Sequence, residues 1–253
     1  VDAILKRISA MTLDACDPAQ HHIYEQLGIR PCSGVLITGA PGSGKTALAR
    51  QIAAQSQPLF SFVEASCAEL VHKVVGQSES KIAELFQMAR SRAPCFLLLD
   101  NLDVLLGGPD EVPPEEEGEE VRGGGAAARR RTTHKAIDRI LSMLLMEMDG
   151  LDSGSGTGTS ADCVIVLATC TAENRLDSAI LRPGRLEHKV KLPLPDYGAR
   201  HALLTHFLQG TSVPIPGPMS LPANASPAHL RGMADELIFK TLASKIQEAS
   251  QSE

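Results

Sequence analysis

Gly39-Ala40-Pro41-Gly42-Ser43-Gly44-Lys45-Thr46 is a glycine, four residues, and then Gly-Lys-Thr. An apolar run, Gly34-Val35-Leu36-Ile37-Thr38, leads into it. A helix-forming run, Ala47-Leu48-Ala49-Arg50-Gln51-Ile52, leads out. Strand, glycine loop, helix is the setting in which this spacing carries chemistry. Glycines let the backbone turn tightly, so that successive N–H groups converge on phosphate oxygens. The helix N-terminus adds positive potential. The expected cradle is Pro41, Gly42, Ser43, Gly44, Lys45, Thr46 and Ala47, with Lys45 on the outer phosphates and the Thr46 hydroxyl toward Mg²⁺.

Working outward, Phe60-Ser61-Phe62-Val63 reads as a second strand. Ser78 to Arg90 reads as a helix, because Ile82, Leu85, Phe86 and Ala89 recur at helical spacing. Cys95-Phe96-Leu97-Leu98-Leu99 and Val164-Ile165-Val166-Leu167-Ala168 are short and continuously apolar, which suits parallel strands buried on both faces. Thr132 to Met148 reads as a long helix with Ile137, Ile140, Leu141, Leu144 and Met148 on one stripe. Val190-Lys191-Leu192 completes the strands. The alternation predicts an α/β layer fold around a parallel sheet. Val1 to about Ile8 reads as an amphipathic stretch and His22 to Ile29 as a short helix.

Residues 107–131 hold Glu115-Glu116-Glu117-Gly118-Glu119-Glu120, a glycine triplet and Arg129-Arg130-Arg131; residues 152–160 are rich in Gly, Ser and Thr. Both read as flexible insertions. The domain expectation is a large α/β part, residues 1–194, and a small helical lid, residues 195–253. In the lid, helices over Ala199–Leu208 and Ala228–Ile246 flank a proline-rich linker from Pro214 to Pro222.

Composition narrows the function classes. The chain has 253 residues, of which 43% are hydrophobic, enough for a sizeable core. A net charge of −6 argues against a surface that coats nucleic acid. Aromatics at 3% and no Trp argue against base-stacking platforms. No run has the length and apolarity of a membrane span. Cys16, Cys32, Cys67, Cys95, Cys163 and Cys170 form no C-x-x-C pair and read as reduced thiols of an intracellular protein, cytoplasmic, nuclear or serving an organelle. The chain opens at Val1 without Met and reads as a piece of a larger protein.

Asp100 ends the apolar strand Leu97-Leu98-Leu99, the place for a carboxylate that helps hold Mg²⁺. The chain here resembles the AAA family of ATPases. His22 to Thr46 is similar to the family's entry helix and P-loop, and Gly76-Gln77-Ser78-Glu79 through Leu85-Phe86 to its G-x-S-E…L-F helix. Asp138-Arg139 through Glu147-Met148-Asp149-Gly150 resembles its D-R…E-M-D-G segment. Leu176-Asp177-Ser178-Ala179-Ile180-Leu181-Arg182-Pro183-Gly184-Arg185 resembles its second region of homology. The resemblance implies ATP or ADP with Mg²⁺ and a homo- or hetero-oligomeric ring, a hexamer in the full-length protein. It also implies a protein substrate or adaptor, with Arg182 and Arg185 as arginine fingers reaching a neighbour's nucleotide. The R-P-G-R form points to the tandem-ring and proteasomal branches, with valosin-containing, peroxisome-biogenesis and ribosome-maturation proteins as the parent types.

The departures fall on the chemistry. After Asp100 the family's usual Glu, which polarises the attacking water, is Asn101 here, and an amide cannot take the water's proton. The sensor position, usually Asn, is Cys170. The pore-loop position, usually aromatic, is Val74. In the lid, Ser226-Pro227-Ala228-His229 stands where the family has S-G-A-D. The expectation is an ATP-binding domain of a ring-forming protein-remodelling ATPase, with weak or no hydrolysis and a role in assembly or regulation. A fully active motor, and a scaffold that binds nucleotide poorly, are the other readings.

Overall fold

The structure is a computed structural model that describes residues 8, 26, 34–70, 77–106, 124–153, 163–211, 213, 221–222 and 224–251. The elements in chain order are β1 (Gly34–Gly39), α1 (Lys45–Gln55), β2 (Ser61–Ser66), α2 (Cys67–Leu70), α3 (Gln77–Ser91), β3 (Cys95–Asp100) and α4 (Leu102–Leu106). Then come α5 (Gly124–Ser153), β4 (Val164–Cys170), two 3₁₀ turns (Glu173–Arg175 and Ser178–Leu181), β5 (His188–Leu192), α6 (Tyr197–Leu208) and α7 (Pro227–Gln251). The sheet has five strands in the order β2-β3-β4-β1-β5. The pairs β2–β3, β3–β4 and β4–β1 are parallel.

Burial follows the sequence pattern. Val164 to Cys170 is buried at every position, and β1 and β3 are buried at all but the last, as central parallel strands covered on both faces should be. The edge strand β2 is buried only at Val63. From α3, Ser78, Ile82, Phe86 and Ala89 are buried; from α5, Ile140, Leu144 and Met148 join the same cluster. Each fully buried Leu or Phe contributes about 1.5–3 kcal/mol. The exposed Arg50–Glu64 pair, with N–O at 2.6 Å, belongs to a class worth about 0–1 kcal/mol, so the apolar layers decide this fold.

The chain divides into two compact units. One is Val1–Thr38 with Thr46–Val190; the other is Gly39–Lys45 with Lys191–Glu253. The second unit has its own core of Leu204, Leu208, Leu221, Ala225, Leu230 and Ala234, formed chiefly by α6 and α7.

Three features differ from expectation. The backbone of α5 is helical from Gly124, so 124–131 is not loop; an Ala-Ala-Ala-Arg-Arg-Arg run has high intrinsic helix propensity. Asp152 and Ser153 likewise close that helix. Cys163 is disulfide-bonded, whereas Cys67, Cys95 and Cys170 are free and buried, so the expectation of six reduced thiols is corrected at Cys163, half-buried at the entrance to β4. Of Val1 to Ile8 and His22 to Ile29 only Ile8 and Gln26 are described, both helical; the Val74 segment, the acidic run and most of the proline-rich linker lie outside the described residues.

Candidate functional site

In the second unit the glycine loop is built as its composition requires. Gly42 and Gly44 have φ of 71° and 96°, where a Cβ is strained. A Cβ on Gly42 would also lie 2.7 Å from the Ala228 Cβ and 3.0 Å from the Ser226 Oγ. The Ala228 N–H donates to the Gly42 carbonyl at 3.1 Å. Ser226 caps α7 by accepting from the His229 N–H at 3.2 Å, and Pro227, without an N–H, opens the helix. The segment Ser226–His229 therefore rests directly on the loop.

Lys45 is 7% exposed. Its Nζ donates to the carbonyls of Gly39 and Ala40 at 2.9 and 3.0 Å, and no ion pair engages it among the described residues. Ser43 Oγ is buried with no hydrogen-bond partner. A buried ammonium held only by neutral carbonyls, beside an orphaned hydroxyl, is chemistry suited to an anion. Phosphate oxygens fit both.

In the first unit the carboxylate that ends β3 gathers three side chains. Asp100 Oδ1 accepts from Thr46 Oγ1 and from Thr169 Oγ1, each at 2.7 Å. Asp100 Oδ2 accepts from the Asn101 amide Nδ2 at 3.3 Å. The Asn101 backbone N–H donates to Thr169 Oγ1 at 2.8 Å. The register explains the meeting: Leu99 pairs Ala168, so Asp100 and Thr169 follow side by side at the strands' carboxyl ends, where open α/β sheets bind ligands. Thr46 and Asp100 offer a hydroxyl and a carboxylate, hard oxygen donors suited to Mg²⁺. No group of three or more His, Cys, Asp or Glu side chains placed to hold a metal occurs among the described residues.

Asn101 has φ of 58°, the only positive value on a non-glycine residue among those described. Asn tolerates this left-handed region better than other side chains do. Cys170 is 0% exposed, with its backbone paired to Thr38. Cys67 is also sealed: burial first, then the charges of Asp100 and Asp103, push its thiol up to about 12. Asp103 Oδ2 accepts from the Thr171 N–H at 3.2 Å, while its Oδ1 is buried without a partner.

Sequence reasoning passed over Thr169 and Asp103. A polar residue ending the apolar run of β4 was the available signal for Thr169.

Arg182-Pro183-Gly184-Arg185 forms a turn. The Arg185 N–H donates to the Arg182 carbonyl at 3.1 Å, and Gly184 has φ of 83°. Proline followed by a positive-φ glycine is the chemistry of a type II turn. Arg182 is exposed, and no described residue pairs with its guanidinium. Arg185 Nε and Nη2 donate to the two Asp149 oxygens, each at 2.7 Å, and Nη1 donates to the Ala179 carbonyl at 2.6 Å.

A parallel α/β sheet with a glycine loop after its first strand and a strand-end carboxylate defines a phosphate-binding domain. The profile of the ATPase family associated with various cellular activities (AAA) matches residues 35–194. The chain belongs to that family. It is 33% identical over 181 residues to a proteasome-activating nucleotidase of Methanopyrus kandleri, covering 72% of this chain and 36% of that protein. A proteasome-activating nucleotidase of Methanoculleus marisnigri is 35% identical over 182 residues, covering 72% and 38%. The ATP-dependent zinc metalloprotease FtsH 3 of Sorangium cellulosum is 34% identical over 198 residues, covering 78% and 28%. The chain thus spans about a third of the length of these relatives. Among the described residues no helix is long and apolar enough to cross a membrane.

Proposed function

We propose that this is the ATP-binding domain of a ring-forming, protein-remodelling ATPase, that it hydrolyses ATP weakly or not at all, and that it serves assembly or regulation of the ring. Membership of the AAA family supports nucleotide binding. The finer reading rests on one observation: the residue after Asp100 is an amide that donates to the Asp100 carboxylate. An amide in that place orients groups but holds no proton vacancy.

In this reading the loop N–H groups and Lys45 hold the phosphates, and Lys45 exchanges its carbonyl partners for phosphate oxygens. Thr46 and Asp100 hold Mg²⁺, which when bound neutralises charge on the phosphates. Thr169 fixes Asp100 and the Asn101 backbone together. The helical part, residues 195–253, acts as a lid through Ser226–His229. Arg182 and Arg185 serve the nucleotide of a neighbouring subunit. A parent protein of tandem-ring type, with a protein substrate or adaptor, belongs to the same proposal.

The test is ATP titration and phosphate release on the assembled full-length protein. Wild type should bind Mg-ATP tightly with little turnover from this domain. Lys45→Ala should weaken binding about 10–100-fold or more, the value of at least one hydrogen bond to a charged group. Unchanged affinity in that variant would remove the phosphate-loop assignment. Turnover assignable to this domain at about 1 s⁻¹ or faster would remove the degenerate reading.

A further inference from the structure

The two arginines of the turn are not in equivalent surroundings. Arg185 is folded back into its own chain: three of its five donors go to Asp149 and to the Ala179 carbonyl. The Asp149 contact is bidentate, the geometry that gives a guanidinium–carboxylate pair both strength and direction. The Arg185 side chain is 16% exposed. Hydrogen bonds from Arg185 hold the Asp149 carboxyl below the ordinary carboxylate range; burial opposes this and the Arg185 charge adds to it.

The post to which Arg185 is tied is itself fixed. Asp149 follows Met148, which is 1% exposed in the core. One residue further back, Glu147 accepts from Arg90 of α3 at 2.6 Å. On the other side of the turn, the Leu186 N–H donates to the Ile180 carbonyl at 3.1 Å, and both side chains are 0% exposed. The segment from Ser178 to Leu186 is thus a closed loop, and its free corner carries Arg182.

To reach a phosphate, Arg185 must give up two charge-assisted hydrogen bonds and one to a carbonyl. Arg182, exposed and unpaired among the described residues, gives up none. We propose that the pair divides its labour: Arg182 alone contacts the terminal phosphate of a nucleoside triphosphate held by a neighbouring copy, and Arg185 is a positioning residue that, through Asp149, holds the turn so that Arg182 points outward. This inference rests on the ring assembly proposed above.

The experiment is ATP-dependent assembly of the full-length protein by sedimentation velocity, read as the ratio of apparent dissociation constants with and without Mg-ATP. That ratio is chosen because simple loss of stability weakens both states and leaves it unmoved. Arg182→Ala should bring the ratio to one. Arg185→Ala and Asp149→Ala should each lower it by a similar factor, about fivefold or more. The reciprocal exchange, Arg185→Asp with Asp149→Arg, rebuilds the pair with its ends swapped and should restore most of the ratio. If Arg185 touches phosphate itself, the exchange stays as weak as Arg185→Ala and Asp149→Ala has little effect; either result overturns the division of labour while leaving the ring reading in place. If neither arginine alters the ratio, or wild type shows no response to ATP, the ring reading fails and this inference with it. Should a melt show that Arg185→Ala does not fold, Asp149→Asn, which keeps shape and removes charge, carries the same expectation.

Discussion

Replacing Asn101 by Glu restores the group that would take a proton from water, and the structure sets what that exchange does to the fold. The backbone at 101 sits at φ 58°. An ordinary L-residue there costs about 1–2 kcal/mol, a penalty that Asn largely escapes. The amide bond to Asp100 Oδ2 at 3.3 Å is lost, which at that length is worth about 0.5 kcal/mol, the low end for a hydrogen bond. A second carboxylate then stands beside Asp100. Two unit charges 4 Å apart near a protein surface interact by about 4 kcal/mol, and a flexible Glu that can swing away keeps about a quarter of that. The sum is roughly 2–4 kcal/mol without metal or nucleotide, or a melting point lower by roughly 5–15 °C at this chain length.

Three variants separate these contributions. Asn101→Gln carries the backbone strain without the charge and should fall between wild type and Asn101→Glu. Asn101→Gly loses the amide without the strain. Added Mg²⁺ with a non-hydrolysable ATP analogue should close most of the gap between Glu and Gln, because the metal neutralises the crowded carboxylates. Under the proposed reading, phosphate release by Asn101→Glu should rise toward the 10²–10⁴-fold that a positioned base contributes, to about the lower end while Cys170 remains. Adding Cys170→Asn should raise turnover further but lower stability by about 1–3 kcal/mol, because it places an amide at a position with no exposure. Differential scanning fluorimetry and coupled phosphate release read both. If Gln and Glu variants melt with wild type in the absence of ligand, the strain and charge reasoning is refuted.

Gly42→Ala should lower stability by about 1–3 kcal/mol from strain at φ 71°, with the Ala228 Cβ 2.7 Å from the added methyl, and should weaken ATP binding as well; a melt and a titration read the two. Thr169→Val, nearly isosteric, strands the Asn101 N–H and removes one of the two donors to Asp100 Oδ1, and should cost about 1–3 kcal/mol in urea unfolding, while Thr169→Ser should cost less. For Cys67 the folded pKa of about 12 lies above the ordinary 9.0, so its contribution is intact below pH 9 and is lost as pH rises toward 12. The stability difference between wild type and Cys67→Ala should therefore shrink above pH 9, by at most about 1.4 kcal/mol per pH unit; a constant difference to pH 11 would count against a sealed thiol.

The sheet was legible because its central strands leave little choice. Runs of five consecutive apolar residues, followed by Asp100 or by Thr169-Cys170, suit a strand covered on both faces. Helix α5 was misjudged at its start because glycines and a charge run around Gly124 look like loop chemistry, although the alanines between them favour helix. The short helices α2 and α4 have too few residues for a periodic signal. The glycine loop was legible from its spacing within a strand–helix setting, since glycine adopts the φ values seen at Gly42 and Gly44 without strain. Contacts between distant residues were not. Asp149 lies 36 residues from Arg185, and nothing in R-P-G-R reveals that one arginine is already engaged.

In the proposed reading, binding and turnover rest on different residues, and the substitutions fall on the second set. The cradle is made of backbone N–H groups, two positive-φ glycines and one lysine, and none of these depends on residue 101. Activation of water depends on one side chain, and the backbone beneath it is left-handed. At that position Glu carries strain and crowds Asp100, whereas Asn carries little strain and donates to the same carboxylate. In the proposed reading, the loss of the base therefore goes with a gain in stability of roughly 2–4 kcal/mol, a large fraction of a domain's typical 5–15. A domain that must hold nucleotide and present Arg182 to a neighbour, without emptying its own site, benefits on both counts. An active motor would have to bear that strain to keep its base. In the Asn101 series, stability tests the strain argument and turnover tests the loss of the base.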